Sequence, residues 1–203
     1  MKKYAVLHEP GDIVTLAGTR FVVLDVERRG SLPDSLFLLA LESVGASEFG
    51  SSNNYAESDL KKAVDKWLED MGKRGLDNAK LIPREIDLTT LDGSGCYGKL
   101  SVKAAPLTPD EAREYADIIP NAERWCWLAT GWSGPSKSDG DLALYVSSGG
   151  GWGNYSCSYS FGIRPALKIP SDLLLDSADK PDLSEVPTDT LLEEIRRRVV
   201  DKA

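Results

Sequence analysis

Side chains that could carry out chemistry are scarce in this sequence. The chain has three cysteines, Cys96, Cys126 and Cys157, an odd number without the CxxC spacing of a zinc cluster or the pairs of a disulfide framework. Its single histidine, His8, lies in a polar stretch near the start, so a histidine-based triad or metal site lacks its main component. The sequence therefore predicts no catalytic residue, no metal site and no cofactor.

Two further patterns resemble chemical sites but are explained more simply by turns. Asp139 and Asp141 stand in SKSDGDLAL, which contains a lysine and lacks the set of oxygen ligands that a calcium site needs. The three glycines at 149–151 are followed by no GK[ST] motif and open no helix, so they do not form a phosphate loop. We interpret them as a flexible hairpin tip from which Trp152 projects.

The aromatic residues late in the chain give the clearest functional signal. Trp152, Tyr155 and Tyr159 stand among serine, glycine and asparagine. That composition is typical of paratopes, in which rigid aromatics provide contact area at small entropic cost. Spacing by three and four does not match strand alternation, so the three cannot all face a core from one regular strand. The alternative is a set of core aromatics beside tight turns.

We expect this segment to form a ligand surface that uses aromatic stacking and hydrogen bonds from hydroxyl and amide groups. The expected ligand-binding residues are Trp132, Ser147, Ser148, Trp152, Asn154, Tyr155, Ser158 and Tyr159. By contrast, Trp125, Trp127 and Phe161 stand within apolar strands and are expected in the core. Arg164 precedes a proline, and we expect it to be buried and hydrogen-bonded to loop carbonyls.

Length and composition limit the partners. With 203 residues, 41% of them hydrophobic, the chain can bury one substantial core. A formal net charge of −8 disfavours nucleic acid and acidic membrane surfaces, because both require a basic face. No apolar run approaches the roughly 18 residues of a membrane span, so no direct membrane insertion is expected. The expected partner is a protein or another macromolecule.

The start of the chain bears on localisation. MKKYAVLHEPGD contains two lysines but no apolar segment behind them, so it does not resemble a secretion signal. This predicts a cytoplasmic protein, or one that reaches a phage particle or a cell surface by a route that needs no N-terminal signal.

Local patterns predict the elements of the first half. Residues 11–28 indicate two strands around a turn at Ala17-Gly18, and a third strand is expected at 36–41. The clearest helix is capped by Ser58 and carries an apolar stripe at i, i+4, i+7 and i+8 that begins at Leu60. Gly72 or Gly75 is expected to end it. The stretch 82–101, with its proline and glycine cluster, is expected to be a loop.

The second half adds a short helix and three more strands. Thr108 with Glu111 predicts a capping box. Strands are expected around 125–128, through Leu142 and Leu144, and at 163–169. Pro165 within the last of these indicates an edge strand or a bulge.

The order of elements indicates the domain organisation. Strands cluster at both ends with helices between them, which is an α+β order and not the alternation of a parallel-sheet enzyme. Residues 1–170 are predicted to form the domain. The segment 171–187 is rich in Asp, Ser and Pro and is predicted to be a linker, and 188–203 is predicted to form an amphipathic C-terminal helix.

Several separated stretches resemble one family. In order they are a VVLD strand, LFLLALE, an S-D-L…W-L helix, LTPDEAREY, WCWLATGW and a closing GIRPALKI. This series resembles DUF6273, a family of bacterial and phage domains of unknown function, and covers roughly residues 11–170. That family is similar to the C-type-lectin-like fold of formylglycine-generating enzymes and of the variable proteins of diversity-generating retroelements.

The resemblance implies mixed and antiparallel sheets with two helices. In the variable proteins, a late segment before the last strand is rewritten at selected codons to create new binding surfaces, and the matching positions here are Ser147 to Tyr159. A non-catalytic ligand-binding or display module is therefore the leading hypothesis, with a retroelement-diversified variable protein as its most specific form.

Two alternatives remain open. Formylglycine-generating enzymes use a late pair of cysteines, so Cys126 and Cys157 could serve an oxidase of that type if they approach each other. In the other alternative, the chain is a structural or assembly protein that docks onto a partner through the helix predicted at its C-terminus.

Overall fold

The computed structural model describes residues 2–4, 8–29 and 32–177, within which strands and helices interleave along the chain. The strands are β1 (Lys2–Tyr4), β2 (Ile13–Leu16), β3 (Thr19–Arg29), β4 (Leu32–Ala40), β5 (Ala46–Glu48), β6 (Arg84–Asp87), β7 (Lys99–Val102), β8 (Ala104–Ala105), β9 (Cys126–Gly131), β10 (Leu142–Val146), β11 (Trp152–Ser156), β12 (Ser160–Gly162), β13 (Ala166–Pro170) and β14 (Leu174–Ser177). The helices are α1 (Asp59–Lys73) and α2 (Pro109–Glu114), with a 3-10 turn at Tyr55–Glu57.

Three sheets organise these strands. The largest has the order β1-β14-β2-β3-β4-β13-β8, the second β11-β10-β9-β12-β5, and the third pairs β6 with β7. Within the described ranges, the named strands pair antiparallel except where β12 meets β9, in parallel, at Gly162 and Cys126. An α+β fold with mostly antiparallel sheets and two α-helices is therefore confirmed for this part of the chain.

The predicted turn between β2 and β3 is confirmed. Ala17 and Gly18 both have positive φ, 47° and 77°, and Leu16 pairs with Thr19 across them. Two successive left-handed residues define the tight hairpin turn whose twist matches that of antiparallel strands.

Helix α1 also begins and ends as the sequence predicts. The Ser58 hydroxyl accepts a hydrogen bond from the Lys61 N–H at 2.9 Å, which satisfies one of the free donors of the first turn. The helix ends at Lys73, and Gly75 follows with φ of 100°. Its buried stripe consists of Leu60, Val64, Leu68 and Met71.

Two predictions about strands were wrong. The expected loop at 82–101 contains β6 and part of β7, in which buried Arg84 and Ile86 alternate with exposed neighbours. Pro165 marks neither an edge strand nor a bulge, because β13 begins one residue later and lies between β4 and β8. The Pro165 carbonyl instead accepts a hydrogen bond from the Ala40 N–H at 2.9 Å.

The main sheet also continues into the segment predicted as a linker. β14, at 174–177, pairs with both β1 and β2. The rest of that linker and the predicted C-terminal helix at 188–203 lie outside the described residues.

The second sheet is buried at its centre and open at one side. Leu128 and Leu144 share a buried cluster with Leu24 and Phe37 of the main sheet. Side chains on the opposite face, such as Trp127, join the cluster that contains α1. β9 is buried throughout, whereas β11 at the outer edge is half-buried or exposed. The late aromatic segment is thus held by a rigid strand pair at the border of the core.

Candidate functional site

The late segment folds into the hairpin β10–β11. Leu142 pairs with Ser156 at one end and Val146 with Trp152 at the other. The turn at 147–151 is closed by a hydrogen bond from the Ser147 N–H to the Gly151 carbonyl at 2.7 Å, and the Ser147 hydroxyl accepts from the Gly151 N–H at 3.0 Å. The expected hairpin tip is therefore present, although Trp152 begins a strand and is not part of the tip.

Strand alternation divides the predicted ligand residues between the two faces of β11. Trp152 and Asn154 lie opposite Val146 and Leu144, on the face that points toward the main sheet. Tyr155 lies opposite Ala143, on the other face. The structure therefore does not gather the predicted set on one face of the sheet.

The remaining predicted residues surround this strand. Trp132 is half-buried against the cluster of Leu128 and Leu144. Its backbone N–H donates to the Leu142 carbonyl at 2.8 Å, so Trp132 lies at the end of β10 that is far from Trp152. Ser148 is exposed in the turn. Ser158 is exposed just beyond β11, with its hydroxyl 3.1 Å from that of Ser156.

On the face of Tyr155, five aromatic side chains form one contiguous surface, which we call the aromatic face; they are Trp125, Tyr145, Tyr155, Tyr159 and Phe161. Their ring centroids lie 4.5 to 5.6 Å apart in successive pairs. The exposed fractions of Tyr155 and Tyr159 are 37% and 52%. The aromatic face thus combines large apolar area with access to solvent, which is what aromatic anchors of an interface require.

Trp125 corrects one sequence-based assignment. We expected it in the core, but 40% of it is exposed. It precedes β9 and stacks on Tyr145, with ring centroids 4.7 Å apart and planes within 5° of parallel. Trp127 is buried as expected, and its indole N–H donates to the Ser47 carbonyl at 3.0 Å. Phe161 is half-buried.

Three residues of the aromatic face are absent from the predicted ligand set, namely Trp125, Tyr145 and Phe161. Tyr145 could have been found, because it alternates with the buried Leu144 in β10 and must therefore point to the opposite face. The hydroxyl of Tyr159, acting through a hydrogen bond, raises the pKa of Tyr155. The Tyr155 phenol therefore remains a neutral hydrogen-bonding group near neutral pH.

β11 is also an open edge. Two backbone hydrogen bonds to the chain before β11 flank this strand. The Cys157 N–H donates to the Asp141 carbonyl at 2.8 Å just beyond one end, and the Ser147 N–H donates to the Gly151 carbonyl just beyond the other. Because bonded and non-bonded pairs alternate in an antiparallel ladder, the backbone groups of Trp152, Asn154 and Ser156 point away from β10. No strand lies beyond β11 in the part of the chain that the structure describes.

The edge carries none of the usual protection against pairing. β11 has the sequence WGNYS, which contains no charged residue and no proline. Of its outward groups, the Ser156 carbonyl accepts from the Tyr159 N–H at 3.0 Å. Among the described residues, the outward groups of Trp152 and Asn154 have no hydrogen-bond partner.

The cysteines show little of the character of reactive thiols. Cys126 and Cys157 are free and buried, and burial raises the pKa of Cys126 to about 11 and that of Cys157 to about 12. Cys96 is free and exposed. Both buried groups are therefore protonated at neutral pH, whereas nucleophilic cysteine chemistry requires the thiolate.

The other polar residues singled out in the sequence have structural roles. Arg164 is buried, and it donates to the Ala40 carbonyl at 2.7 Å and to the Pro120 carbonyl at 2.9 Å, which confirms the prediction for it. Asp139 and Asp141 are exposed in the turn before β10. Across the described ranges, no group of three or more His, Cys, Asp or Glu side chains is placed to hold a metal ion.

Comparisons with protein-family models, curated proteins and solved structures give no match to this chain. Among the described residues, no helix has the length and apolar character needed to cross a membrane.

Proposed function

We propose that this chain is a non-catalytic binding module and that the hairpin β10–β11 presents its ligand surface. The observation that carries the proposal is the unprotected edge of β11, with outward backbone groups at Trp152 and Asn154 and exposed aromatics on both of its faces. The ligand is an extended segment of another protein, which adds to β11 as a sixth strand of the second sheet.

If a strand adds to β11, one ligand can contact the predicted residues on both faces of the sheet. A strand paired with β11 sends alternate side chains to opposite faces of the sheet. Its side chains would meet Trp152 and Asn154 on one face, and Tyr155 with the rest of the aromatic face on the other. Backbone hydrogen bonds would supply affinity, and the aromatic side chains would supply specificity.

The surface suits a protein ligand better than the other classes. β11 is uncharged, and the chain as a whole carries −8, so phosphate groups find no basic surface here. Tyrosine, tryptophan and serine are residues that protein-binding paratopes favour. A protein segment is also the ligand that can satisfy outward N–H and C=O groups in a regular register.

We further propose that the chain has a C-type-lectin-like fold and that it serves as a display protein. The order of the motifs supports a C-type-lectin-like fold in which Ser147 to Tyr159 corresponds to the late variable segment. These residues lie in a surface turn, an edge strand and the turn after it, with Cys157 buried among them. Substitution at exposed positions such as Ser148 or Tyr159 would leave the core unchanged, which a diversified display surface requires. Display on a phage particle or a cell surface would fit this role.

The test uses a library of random heptapeptides displayed on phage and selected on the full chain. Asn154→Pro removes an outward N–H without removing a bond to β10, and Asn154→Ala truncates the same side chain but keeps that N–H. We expect the selected peptides to bind the parent, to bind Asn154→Ala more weakly because one side-chain contact is removed, and to lose binding to Asn154→Pro. Failure to select any peptide, or equal binding to all three proteins, would contradict the proposal.

A further inference from the structure

Two buried arginines of this chain differ in how their charge is balanced. Arg84, 5% exposed, forms an ion pair with Glu111 and also donates to the carbonyls of Ala105 and Pro106, each at 3.0 Å. Arg164, 8% exposed, contacts the two carbonyls described above and has no carboxylate partner among the described residues. Its Nη2 group is buried and has no hydrogen-bond acceptor.

Within the part of the chain that the structure describes, this difference leaves the positive charge of Arg164 without a counter-ion. Burial lowers the pKa of Arg164, but a guanidinium remains protonated at any physiological pH. A buried charge without a counter-ion is destabilising, and carbonyl oxygens offset only part of its lost hydration. In a chain with an excess of acidic residues, the missing carboxylate partner is unexpected. Arg84 also has a buried donor without an acceptor, its Nε, but the fold supplies its charge with a carboxylate partner.

Arg164 also lines a cavity of about 120 Å³. Its walls are mainly apolar and include Leu39, Leu107, Ala112, Ala122, Leu128 and Val146. None of the lining residues is acidic. Because a dry apolar cavity of about 150 Å³ can hold a benzene molecule, this space suits an apolar body of slightly smaller size. The site therefore combines an unpaired cation with a small apolar compartment.

The cavity opens to the surface between Asn121, Gly150 and Trp152, all of them exposed. The Arg113 guanidinium lies over the Trp152 ring at 5.2 Å and is paired with Asp110 at 2.7 Å, so Arg164 is the unpaired cation of this site among the described residues. A Cβ at position 150 would stand 2.9 Å from the Asn121 side-chain oxygen, so glycine keeps this opening clear. The Trp152 side chain thus borders the cavity, and its backbone lies on the outer edge of β11.

We propose that this cavity binds a small monocarboxylate with an apolar body, whose carboxylate pairs with Arg164 and whose body fills the apolar compartment. The carboxylate supplies the counter-ion that Arg164 lacks among the described residues, as Glu111 does for Arg84. The cavity shares Trp152 with the strand edge of β11 and shares no residue with the aromatic face, and binding at Arg164 does not require the proposed protein-binding function.

The test is a titration of the full chain, followed by amide NMR, with butyrate and with butyramide. The two probes have nearly the same shape, but butyramide is uncharged. We expect saturable shifts at residues lining the cavity with butyrate, and binding at least about tenfold weaker with butyramide, because charge-assisted hydrogen bonds are the stronger ones. Equal binding of the two probes, or no saturable binding of butyrate, would overturn the proposal.

Variants that fill the cavity locate the site. Ala112→Leu places a larger side chain in the cavity, and Ala116→Leu does so from an exposed lining position where folding is less at risk. Ala79→Leu, an exposed position outside the cavity, is the matched control. We expect butyrate binding to be lost in whichever filling variant is folded and retained in the control. Unchanged binding in a folded filling variant would contradict the site.

The two proposals fail separately. Asn154→Pro leaves the lining of the cavity intact, so it should abolish peptide binding and preserve butyrate binding. Ala116→Leu should have the opposite effect.

Discussion

Gly153 lies directly beneath the ring of Tyr145, so closely that a Cβ at position 153 would stand 2.6 Å from the Tyr145 hydroxyl oxygen and 2.7 Å from Cζ. The two residues face each other across β10 and β11. The absence of a side chain at 153 lets Tyr145 lie flat over the edge strand and stack on Trp125. The shape of the aromatic face thus depends on a glycine that contributes no surface of its own.

Gly153→Ala should therefore displace Tyr145 and separate it from Trp125. Because the clash is with a ring held by stacking, we expect a loss of about 1–3 kcal/mol in the free energy of unfolding, as for other overpacked sites. The emission of the half-exposed Trp125 should also change. Gly149→Ala is the matched control, since a Cβ at position 149 would have no atom within 4 Å and the φ of Gly149 is not positive. An unchanged free energy of unfolding in Gly153→Ala would contradict this role.

Trp152→Ala and Tyr155→Ala separate the two faces of β11. If a ligand strand adds to the edge, it meets both faces, and the double variant should weaken binding of a selected heptapeptide by more than about 2 kcal/mol. Each single variant should weaken binding measurably, as followed by calorimetry, and Ser148→Ala in the turn should not. Loss confined to Tyr155→Ala would instead favour a ligand that lies on the aromatic face without pairing to the edge.

The parts of the fold that follow from local signals could be predicted from the sequence. Ser58 and Thr108 identify the starts of both helices because their side chains accept bonds from N–H groups three residues away. β14 could not be predicted in this way, because its partner β1 lies at the other end of the chain. β6 and β7 were missed for a related reason, since four-residue strands on either side of a glycine-rich loop have little pattern of their own.

The candidate site shows the same limit. The composition of 147–159 predicts exposed aromatics, and Trp152, Tyr155 and Tyr159 are among the exposed large hydrophobic side chains of the described residues. Alternation indicates only that the three aromatics cannot all face the core. The sequence analysis assigns no strand to 152–156, so it does not predict that Trp152 and Tyr155 lie on opposite faces of β11. The unpaired charge of Arg164 depends on which carboxylates approach it in space, and no sequence pattern encodes that.

The cysteines should differ sharply in their rates of alkylation. Cys96 is exposed, whereas Cys126 and Cys157 are buried with raised pKa values. Iodoacetamide at neutral pH should therefore modify Cys96 in the native chain and reach the other two only after unfolding, as mass spectrometry of peptides would show. Rapid native labelling of Cys126 or Cys157 would restore the oxidase alternative, which needs an accessible thiolate.

The same shifts predict a dependence of stability on alkaline pH. The folded state holds the protons of Cys126 and Cys157 more tightly than the unfolded chain, because burial disfavours the thiolate. This contribution to the free energy of unfolding is fully present below the ordinary thiol pKa and is lost as pH rises toward the folded values near 11 and 12. Cys157→Ala should flatten the decrease above pH of about 9 in urea titrations, and a decrease as steep as that of the parent would exclude this thiol as a cause.

Glu111 connects helix α2 to a buried charge, and its removal should be costly. One carboxylate oxygen pairs with Arg84, and the other accepts from the Thr108 N–H at 2.8 Å to complete the capping box. Glu111→Ala leaves the Arg84 guanidinium buried without a counter-ion, so we expect a loss of about 3–5 kcal/mol in the free energy of unfolding. Glu111→Gln keeps hydrogen-bond acceptors and should cost less, and Glu114→Ala on the exposed side of the same helix should be nearly neutral. If Glu111→Ala were as mild as Glu114→Ala, this chain would tolerate an unpaired buried arginine. The missing counter-ion of Arg164 would then no longer indicate a ligand.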